Sequence, residues 1–245
     1  MSPTMTTVPT DDGLAMPAHL WLPESGTGPG IVLFQEIFGV SAYIQRRAQD
    51  LASLGYVVLV PEAYWRLEDR GPFEGPDALG VAFGAMQAID WQQAVLDGAS
   101  AVQSLRGNDS VDGPVGIVGF CFGGGLGFNV AAHLESELGG GTPVDGLVSY
   151  YGSALPGLVD VMTVTAPSLH HFGLADSYID VPTVRRIEEI VTAQPDTTFI
   201  TYDGADHAFD NNDFVGYNAA ASELSWERTT EWLAAHLPTD RNDSR

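Results

Sequence analysis

Residues 115–125 read V-G-I-V-G-F-C-F-G-G-G, so that a short apolar run leads into a turn with Cys121 at its apex. Gly119 and Gly123 stand two residues before and after this cysteine. A sharp strand-to-helix turn that lifts a nucleophile above a sheet needs small neighbours, because the backbone there packs too closely for side chains. The stretch therefore predicts a strand, a strained turn and a helix, with Cys121 as a nucleophile.

Cys121 has a simpler interpretation as well, because free cysteines are among the most commonly buried residues and often act as small apolar side chains. The flanking glycines and the preceding apolar run favour the nucleophile. The same glycines resemble a dinucleotide-binding turn, but neither Gly123 nor Gly125 begins a complete G-x-G-x-x-G pattern. We therefore predict no nucleotide and no other cofactor.

The charge balance excludes several classes of partner. The chain has 32 acidic and 10 basic residues, a net charge of -22, and all its basic residues are arginine. Such a negative field repels nucleic acid and anionic membrane surfaces, so we expect neither as a partner and instead predict a small-molecule ligand. A halophilic source and a high-GC genome both account for this composition, and composition does not separate them.

Length and cysteine content point to one compact unit. A chain of 245 residues can form a single domain, which we expect over residues 1–237, followed by a polar tail over 238–245. One cysteine excludes an internal disulfide, residues 1–12 contain no basic residue or apolar core, and the longest apolar runs have strand length. We expect a cytoplasmic protein that is a monomer or a small homo-oligomer.

Short β-branched runs alternate with longer stretches of helical period along the chain. This alternation is typical of an α/β fold with a mostly parallel, twisted sheet and helices on both faces. Residues 71–76 indicate a rigid irregular connection, and residues 77–89 a segment that caps the site. The predicted strands are 19–22, 31–35, 56–60, 115–118, 146–150, 168–172 and 198–202, and the predicted helices are 42–54, 88–106, 122–138, 183–193 and 216–236.

Two later strands end in candidate partners for Cys121. Asp176 follows the strand at 168–172, and His207 follows the strand at 198–202. The carboxyl ends of parallel strands meet at the edge where open α/β sheets bind ligands. Alone, Asp176 could be a turn residue and His207 a surface histidine. Their joint placement predicts a triad in which His207 takes the thiol proton and Asp176 orients the imidazole.

Glu36 ends the apolar run at 31–35 and lies at the same predicted edge, although a helix cap or a solvated loop would explain it equally well. His170 and His171 are adjacent on a strand and face opposite sides of the sheet, so they do not ligate one metal in regular geometry. Since no H-E-x-x-H or paired-cysteine pattern occurs, we predict no metal.

Several motifs together resemble one known family. The motifs are Q-E-I-F-G-V at 35–40, V-P-E-A-Y at 60–64, G-F-C-F-G-G at 119–124 and G-A-D-H-A-F at 204–209, together with the late Asp176. With them the chain resembles, over residues 28–237, the dienelactone hydrolase (carboxymethylenebutenolidase) family, in which a cysteine in the elbow is combined with Q-E-I-F-G. The resemblance implies an α/β-hydrolase fold and a hydrolase that acts on ester bonds.

The resemblance also implies roles for individual residues. It implies a triad of Cys121, His207 and Asp176, and a thioester intermediate in the hydrolysis of a lactone or small ester. It implies that Glu36 pairs with the resting thiol and is freed by substrate to help remove the thiol proton. The backbone N–H groups of Ile37 and Phe122 are the implied oxyanion hole.

One departure from the family bears on the substrate. The family binds a substrate carboxylate with arginines, yet the position four residues after His207 is Asn211, and residues 71–105 contain no basic residue. Arg66 and Arg70 could substitute from another direction. We otherwise expect a pocket for a neutral group. Its predicted lining is Phe38, Tyr64, Phe83, Met86, Phe209 and Asn211.

Two alternatives to this hydrolase remain at the level of sequence. One is a non-catalytic protein that binds a small molecule on the same fold. The other is an esterase or thioesterase with neutral substrates. The simultaneous presence of Cys121, Asp176 and His207 favours catalysis, because a binding protein has no need of all three.

Overall fold

The computed structural model describes residues 2–239, so most of the tail predicted at 238–245 lies outside the described residues. Eight strands form one sheet in the order β1-β2-β4-β3-β5-β6-β7-β8. The strands are β1 (Thr4–Pro9), β2 (Ala15–Trp21), β3 (Gly28–Phe34), β4 (Val57–Pro61), β5 (Val111–Phe120), β6 (Gly146–Tyr150), β7 (Ser168–Gly173) and β8 (Thr197–Tyr202).

The sheet is parallel from β4 to β8 and antiparallel at β1 and β2. Every residue of β3, β4, β6 and β7 is buried, as expected for strands covered on both faces. Because β3 and β5 run side by side with Phe34 opposite Gly119, the residues that follow them meet at one edge. This is the edge that holds Glu36 and Cys121.

Within residues 2–239 there are seven helices, six of them between strands and α7 after the last strand. The mostly parallel α/β architecture predicted from sequence is confirmed. The helices are α1 (Ala42–Ser53), α2 (Ala78–Ala88), α3 (Trp91–Arg106), α4 (Phe122–Glu135), α5 (Leu155–Leu158), α6 (Val181–Val191) and α7 (Ala219–His236).

The differences from the predicted elements have local causes. Strand β1 was not predicted, because T-M-T-T-V-P buries only Val8 and so lacks a clear apolar alternation. Helix α3 begins at Trp91 rather than at 88, since the Asp90 side chain accepts the Gln93 N–H as an N-cap. Asn218 caps α7 in the same way, which moves its start from the predicted 216 to Ala219.

Two segments between β4 and α3 shape the site. Residues 71–76 are irregular, as predicted. The capping segment predicted at 77–89 contains α2, an 11-residue helix with no charged residue that buries only Ala82 fully. Within residues 2–239, no helix combines the length and apolar character needed to cross a membrane.

Candidate active site

The turn between β5 and α4 is strained around Cys121. Its φ of 54° and ψ of -114° lie where side chains other than hydrogen are disfavoured. A Cβ at Gly119 would lie 2.1 Å from the Gly123 carbonyl oxygen, and one at Gly123 would lie 2.3 Å from the Phe34 carbonyl oxygen. Glycine is therefore required at both positions, and the close packing holds Cys121 above the sheet.

Three side chains from three strand ends form a continuous chain of contacts. His207 Nε2 lies 3.1 Å from Cys121 Sγ, and His207 Nδ1 lies 2.8 Å from Asp176 Oδ2. Asp176 Oδ1 accepts the backbone N–H groups of Tyr178 and Ile179 at 2.8 and 2.9 Å, which fixes the orientation of the carboxylate. The structure thus brings together the nucleophile, base and acid expected from sequence.

The groups around His207 favour its protonated form. Burial opposes a positive charge on His207, but the adjacent Cys121 and Asp176 outweigh it and raise the pKa of the imidazole to about 10. A protonated imidazole 3.1 Å from the sulfur stabilises a thiolate. This arrangement can present a nucleophile at neutral pH.

Two backbone N–H groups beside Cys121 are free to bind an oxyanion. Ile37 and Phe122 both line the cavity that contains the sulfur. Among residues 2–239, no acceptor is found for either N–H, whereas the Cys121 N–H donates to the Tyr150 carbonyl at 3.0 Å. Both N–H groups are therefore available to a ligand, and their role as oxyanion-hole donors stays a prediction.

Among residues 2–239, no hydrogen bond joins Glu36 to the Cys121 thiol, whereas the resemblance implied that the two pair. Its Oε2 accepts the Asn211 Nδ2–H at 2.6 Å, and its Oε1 accepts the Tyr151 hydroxyl at 3.4 Å. The residue is 1% exposed. Burial raises the pKa of the Glu36 carboxyl to about 7, and the Asn211 hydrogen bond only partly offsets this effect. Glu36 is therefore a buried acid that titrates near neutral pH.

The sulfur opens into an apolar cavity of about 440 Å³. Cys121 itself is 7% exposed. The capping helix α2 closes one side of the cavity, where the Phe83 ring lies 6.1 Å from the Tyr178 ring. The lining consists of Glu36, Ile37, Phe38, Leu79, Phe83, Met86, Trp91, Cys121, Phe122, Ser153, Ala154, Pro156, Tyr178, Ile179, His207, Ala208 and Phe214.

Three of the six predicted lining residues, Phe38, Phe83 and Met86, face this cavity. The other three, Tyr64, Phe209 and Asn211, do not line this cavity. Tyr64 is buried against the Phe73 and Phe122 rings, and Phe209 is buried among Tyr150, Tyr151 and Tyr202. Asn211 lies behind Glu36 and borders a neighbouring cavity of about 400 Å³.

Several wall residues were missed by sequence reasoning. Trp91 begins a helix, Tyr178 follows Asp176 in a loop, and Phe214 lies in the loop after His207. Tyr151 was also missed; it has a φ of 36°, its ring lies 5.2 Å from the His207 ring, and its hydroxyl donates to Glu36. No sequence pattern marks these residues as part of the site, except that Tyr178 and Phe214 follow predicted site residues closely.

Neither arginine considered as a carboxylate partner reaches the cavity. Arg66 makes a two-point ion pair with Asp97, in which both donor–acceptor distances are 2.8 Å, and a third contact to Asp12 at 2.8 Å. Arg70 is exposed and donates to the Leu67 carbonyl. The cavity lining contains no arginine.

The histidine pair on β7 contributes to the core. His170 Nε2 lies 3.2 Å from Ser168 Oγ, and burial lowers the pKa of His170 to about 4. His171 lies between the Tyr202 hydroxyl and Thr229 Oγ1 at 2.8 and 3.0 Å. Across residues 2–239, no group of three His, Cys, Asp or Glu side chains is arranged to hold a metal ion.

Known proteins with similar sequences support one family. The family model described as "Dienelactone hydrolase family" matches residues 16–237. A carboxymethylenebutenolidase from Pseudomonas putida is 33% identical over 226 residues, covering 91% of this chain and 92% of the relative. Carboxymethylenebutenolidase 1 from Cupriavidus pinatubonensis is 28% identical over 224 residues, covering 89% of this chain and 90% of the relative.

Two solved structures share the fold. A dienelactone hydrolase-like promiscuous phosphotriesterase from metagenomic libraries gives a TM-score of 0.74 at 23% identity, covering 96% of this chain and 99% of that chain. A thermophilic esterase from Thermogutta terrifontis gives a TM-score of 0.69 at 14% identity, covering 99% and 95%. The resemblance inferred from sequence is confirmed: the chain belongs to the dienelactone hydrolase family and is a hydrolase of ester bonds.

Proposed function

We propose that this protein is a cysteine hydrolase that opens a neutral lactone or cleaves a small neutral ester through a thioester intermediate. The observation that carries the proposal is the contact chain from Cys121 Sγ through His207 to Asp176, with distances of 3.1 and 2.8 Å, at the base of an apolar cavity. A non-catalytic binding protein would not need a cysteine sulfur that is hydrogen-bonded to a histidine–aspartate pair.

The reaction begins with the thiol proton on His207 Nε2 and the electron pair on Cys121 Sγ. The sulfur attacks the carbonyl carbon, and the carbonyl oxygen becomes an oxyanion that accepts the N–H groups of Ile37 and Phe122. When the C–O bond breaks, the leaving oxygen takes the proton from Nε2. The acyl group is then bound to sulfur as a thioester.

Water completes the cycle. Neutral His207 removes a proton from a water molecule, whose oxygen attacks the thioester carbonyl while the Asp176 carboxylate holds the imidazole in orientation. The C–S bond breaks, the electron pair returns to sulfur, and the carboxylic acid leaves. For a lactone, the acid and the alcohol remain in one molecule.

The cavity lining supports a neutral substrate. No arginine faces the cavity, and Arg66 is held by Asp97 and Asp12. The surrounding charge of -22 also disfavours an anionic substrate. A carboxylate would thus lose its water without gaining a charge-assisted partner, whereas aromatic rings offer contact to an apolar acyl group.

The first test of the proposal concerns the cysteine. Cys121→Ala is expected to abolish hydrolysis of p-nitrophenyl acetate while leaving the circular dichroism spectrum and melting temperature near those of the parent protein. A Cys121→Ala variant that retains turnover would exclude the cysteine mechanism.

Substrate charge is tested separately. The kcat/KM for a neutral lactone is expected to exceed that for a carboxylated dienelactone of similar size, at both low and high salt. If the carboxylated substrate is preferred at both salt concentrations, the neutral-substrate assignment is wrong and the cysteine mechanism is unaffected.

A further inference from the structure

The loop after β8 carries both His207 and Asn211. Ala208 has a φ of 56°, and the Asn211 N–H donates to its carbonyl at 2.9 Å, which closes a tight turn. Asn211 Oδ1 accepts the Asp213 N–H at 2.9 Å. The amide orientation is thereby set, because the Nδ2 end then points to Glu36 Oε2 at 2.6 Å.

This loop is anchored from behind. Asp210, immediately before Asn211, accepts two N–H groups of Arg47 at 2.8 and 2.6 Å. It also accepts the Tyr43 and Ser222 hydroxyls at 2.5 and 2.7 Å. Asp210 and Asn211 are both buried. The position of the Asn211 amide is therefore determined by the fold and does not depend on Glu36.

The surroundings of Glu36 contain no cation in hydrogen-bonding contact among residues 2–239. Its two hydrogen-bond donors, Asn211 and Tyr151, are uncharged. The protonated form of His207 attracts the carboxylate, and Asp210 repels it. The titratable groups that face Glu36 are Cys121 on the elbow, Tyr151 after β6, His207 and Asp210 on the loop, and Tyr43 on α1. Arg47 on α1 is bound to Asp210.

We propose that Asn211 is a positioning residue that holds the Glu36 carboxyl against the cavity wall and away from Cys121 Sγ, so that the thiol proton passes to His207. The sulfur's hydrogen bond in residues 2–239 goes to His207 and not to Glu36. This inference rests on the proposed cysteine mechanism and concerns which base serves it.

The state of Glu36 then affects turnover in a defined direction. Burial without a cation raises its pKa to about 7, so the carboxyl is neutral in mildly acidic solution and ionises above neutrality. Glu36 and Ile37 line the same cavity, so an ionised Glu36 adds a negative charge near the proposed oxyanion site. We expect kcat/KM for a neutral ester to fall as pH rises through about 7.

The test is a double-mutant cycle on the full chain, with kcat/KM for p-nitrophenyl acetate measured from pH 5 to 9. Asn211→Leu removes the donor at similar volume, and Glu36→Gln removes the ionisation. At pH 6, Asn211→Leu is expected to lower kcat/KM about tenfold in the parent protein. It should also move the descending limb upward by about one pH unit, because the lost hydrogen bond favoured the ionised form.

The Glu36→Gln background isolates the effect on Glu36. In that background the fall of kcat/KM near pH 7 should be absent. Adding Asn211→Leu should then change kcat/KM less than about twofold. Asn212→Leu is the matched control, because Asn212 is adjacent but its side chain accepts from Arg46 at the surface. Asn212→Leu should leave kcat/KM and the pH at which it falls unchanged. If Asn211→Leu does not fold, Asn211→Ala gives the same readout without added bulk.

Two results would overturn the inference. One is a limb at the same pH in Asn211→Leu as in the parent protein. The other is an equal loss of kcat/KM from Asn211→Leu in both backgrounds, which would show a role independent of Glu36. Either result with an inactive Cys121→Ala variant refutes the positioning role alone, whereas an active Cys121→Ala variant refutes the proposed function.

Discussion

Two buried carboxylates near the active site have opposite surroundings. Asp210 is 1% exposed and is bound by the Arg47 guanidinium, with the Tyr43 and Ser222 hydroxyls completing its partners. Glu36 is also 1% exposed, yet its donors are the neutral Asn211 amide and the Tyr151 hydroxyl. Equal burial therefore does not imply equal chemistry. A carboxylate with a counter-ion anchors the structure, and one without a counter-ion can change its protonation near neutral pH.

The largest expected effect on stability comes from Asp210, the carboxylate that has a counter-ion. Asp210→Asn leaves the Arg47 guanidinium mostly buried without its main counter-charge, so we expect unfolding free energy to fall by about 3–5 kcal/mol in urea titrations. The control is Asp213→Asn, which breaks a surface pair with Arg46 and should cost about 0–1 kcal/mol. Similar losses in the two variants would contradict the anchoring role of Asp210.

The second effect concerns the pH dependence of stability on the Glu36 side. The pKa of about 7 for folded Glu36 lies above the ordinary glutamate value of 4.5, so the folded protein binds more protons than the unfolded chain between these pH values. The unfolding free energy consequently falls as pH rises from 4.5 to 7, because Glu36 ionises in the unfolded chain before it ionises in the folded protein. The expected contribution is about 3 kcal/mol.

Glu36→Gln separates this contribution from all other titrations. The unfolding free energy of the parent protein minus that of the variant should decrease across pH 4.5 to 7 and level off above it. Urea titrations at matched pH values measure this difference. A difference that stays flat would mean that Glu36 has an ordinary carboxyl pKa, and the contrast with Asp210 would disappear.

The smallest effect compares the two tyrosines that donate to these carboxylates. Tyr43→Phe removes a 2.5 Å hydrogen bond to Asp210 and should cost about 1.5–3 kcal/mol of unfolding free energy. Tyr151→Phe removes a contact of 3.4 Å to Glu36 and should cost less than about 1 kcal/mol. A larger loss at Tyr151 than at Tyr43 would reverse this order. Thermal denaturation of the pair at pH 7 provides the measurement.

The strands and the order of the triad were predictable because they depend on local pattern. Apolar runs predicted every parallel strand of the sheet, and Asp176 and His207 follow two of them directly. Parallel strands bring their carboxyl ends to one edge whatever the details of packing. The antiparallel β1 was missed because pairing with β2, rather than its own sequence, makes it a strand.

Orientation within loops was less predictable. Phe209 is two residues from His207, but its ring is buried among tyrosines on the far side of the turn. Phe214, seven residues from His207, faces the cavity instead. Ala208 lies between His207 and Phe209 with a positive φ, and no sequence pattern signalled this change in chain direction.

The sequence by itself determined the elbow. Backbone atoms pack so closely against Gly119 and Gly123 that no residue with a side chain would fit at either position. It also determined which strand ends carry Cys121, Asp176 and His207. Only the tertiary structure decided which partner each charged group received. Arg66 bonds to Asp97, Arg47 to Asp210, and Glu36 to Asn211, across 31, 163 and 175 positions of chain. Such pairings depend on the packing of distant segments, and that packing left Glu36 with an amide rather than a cation.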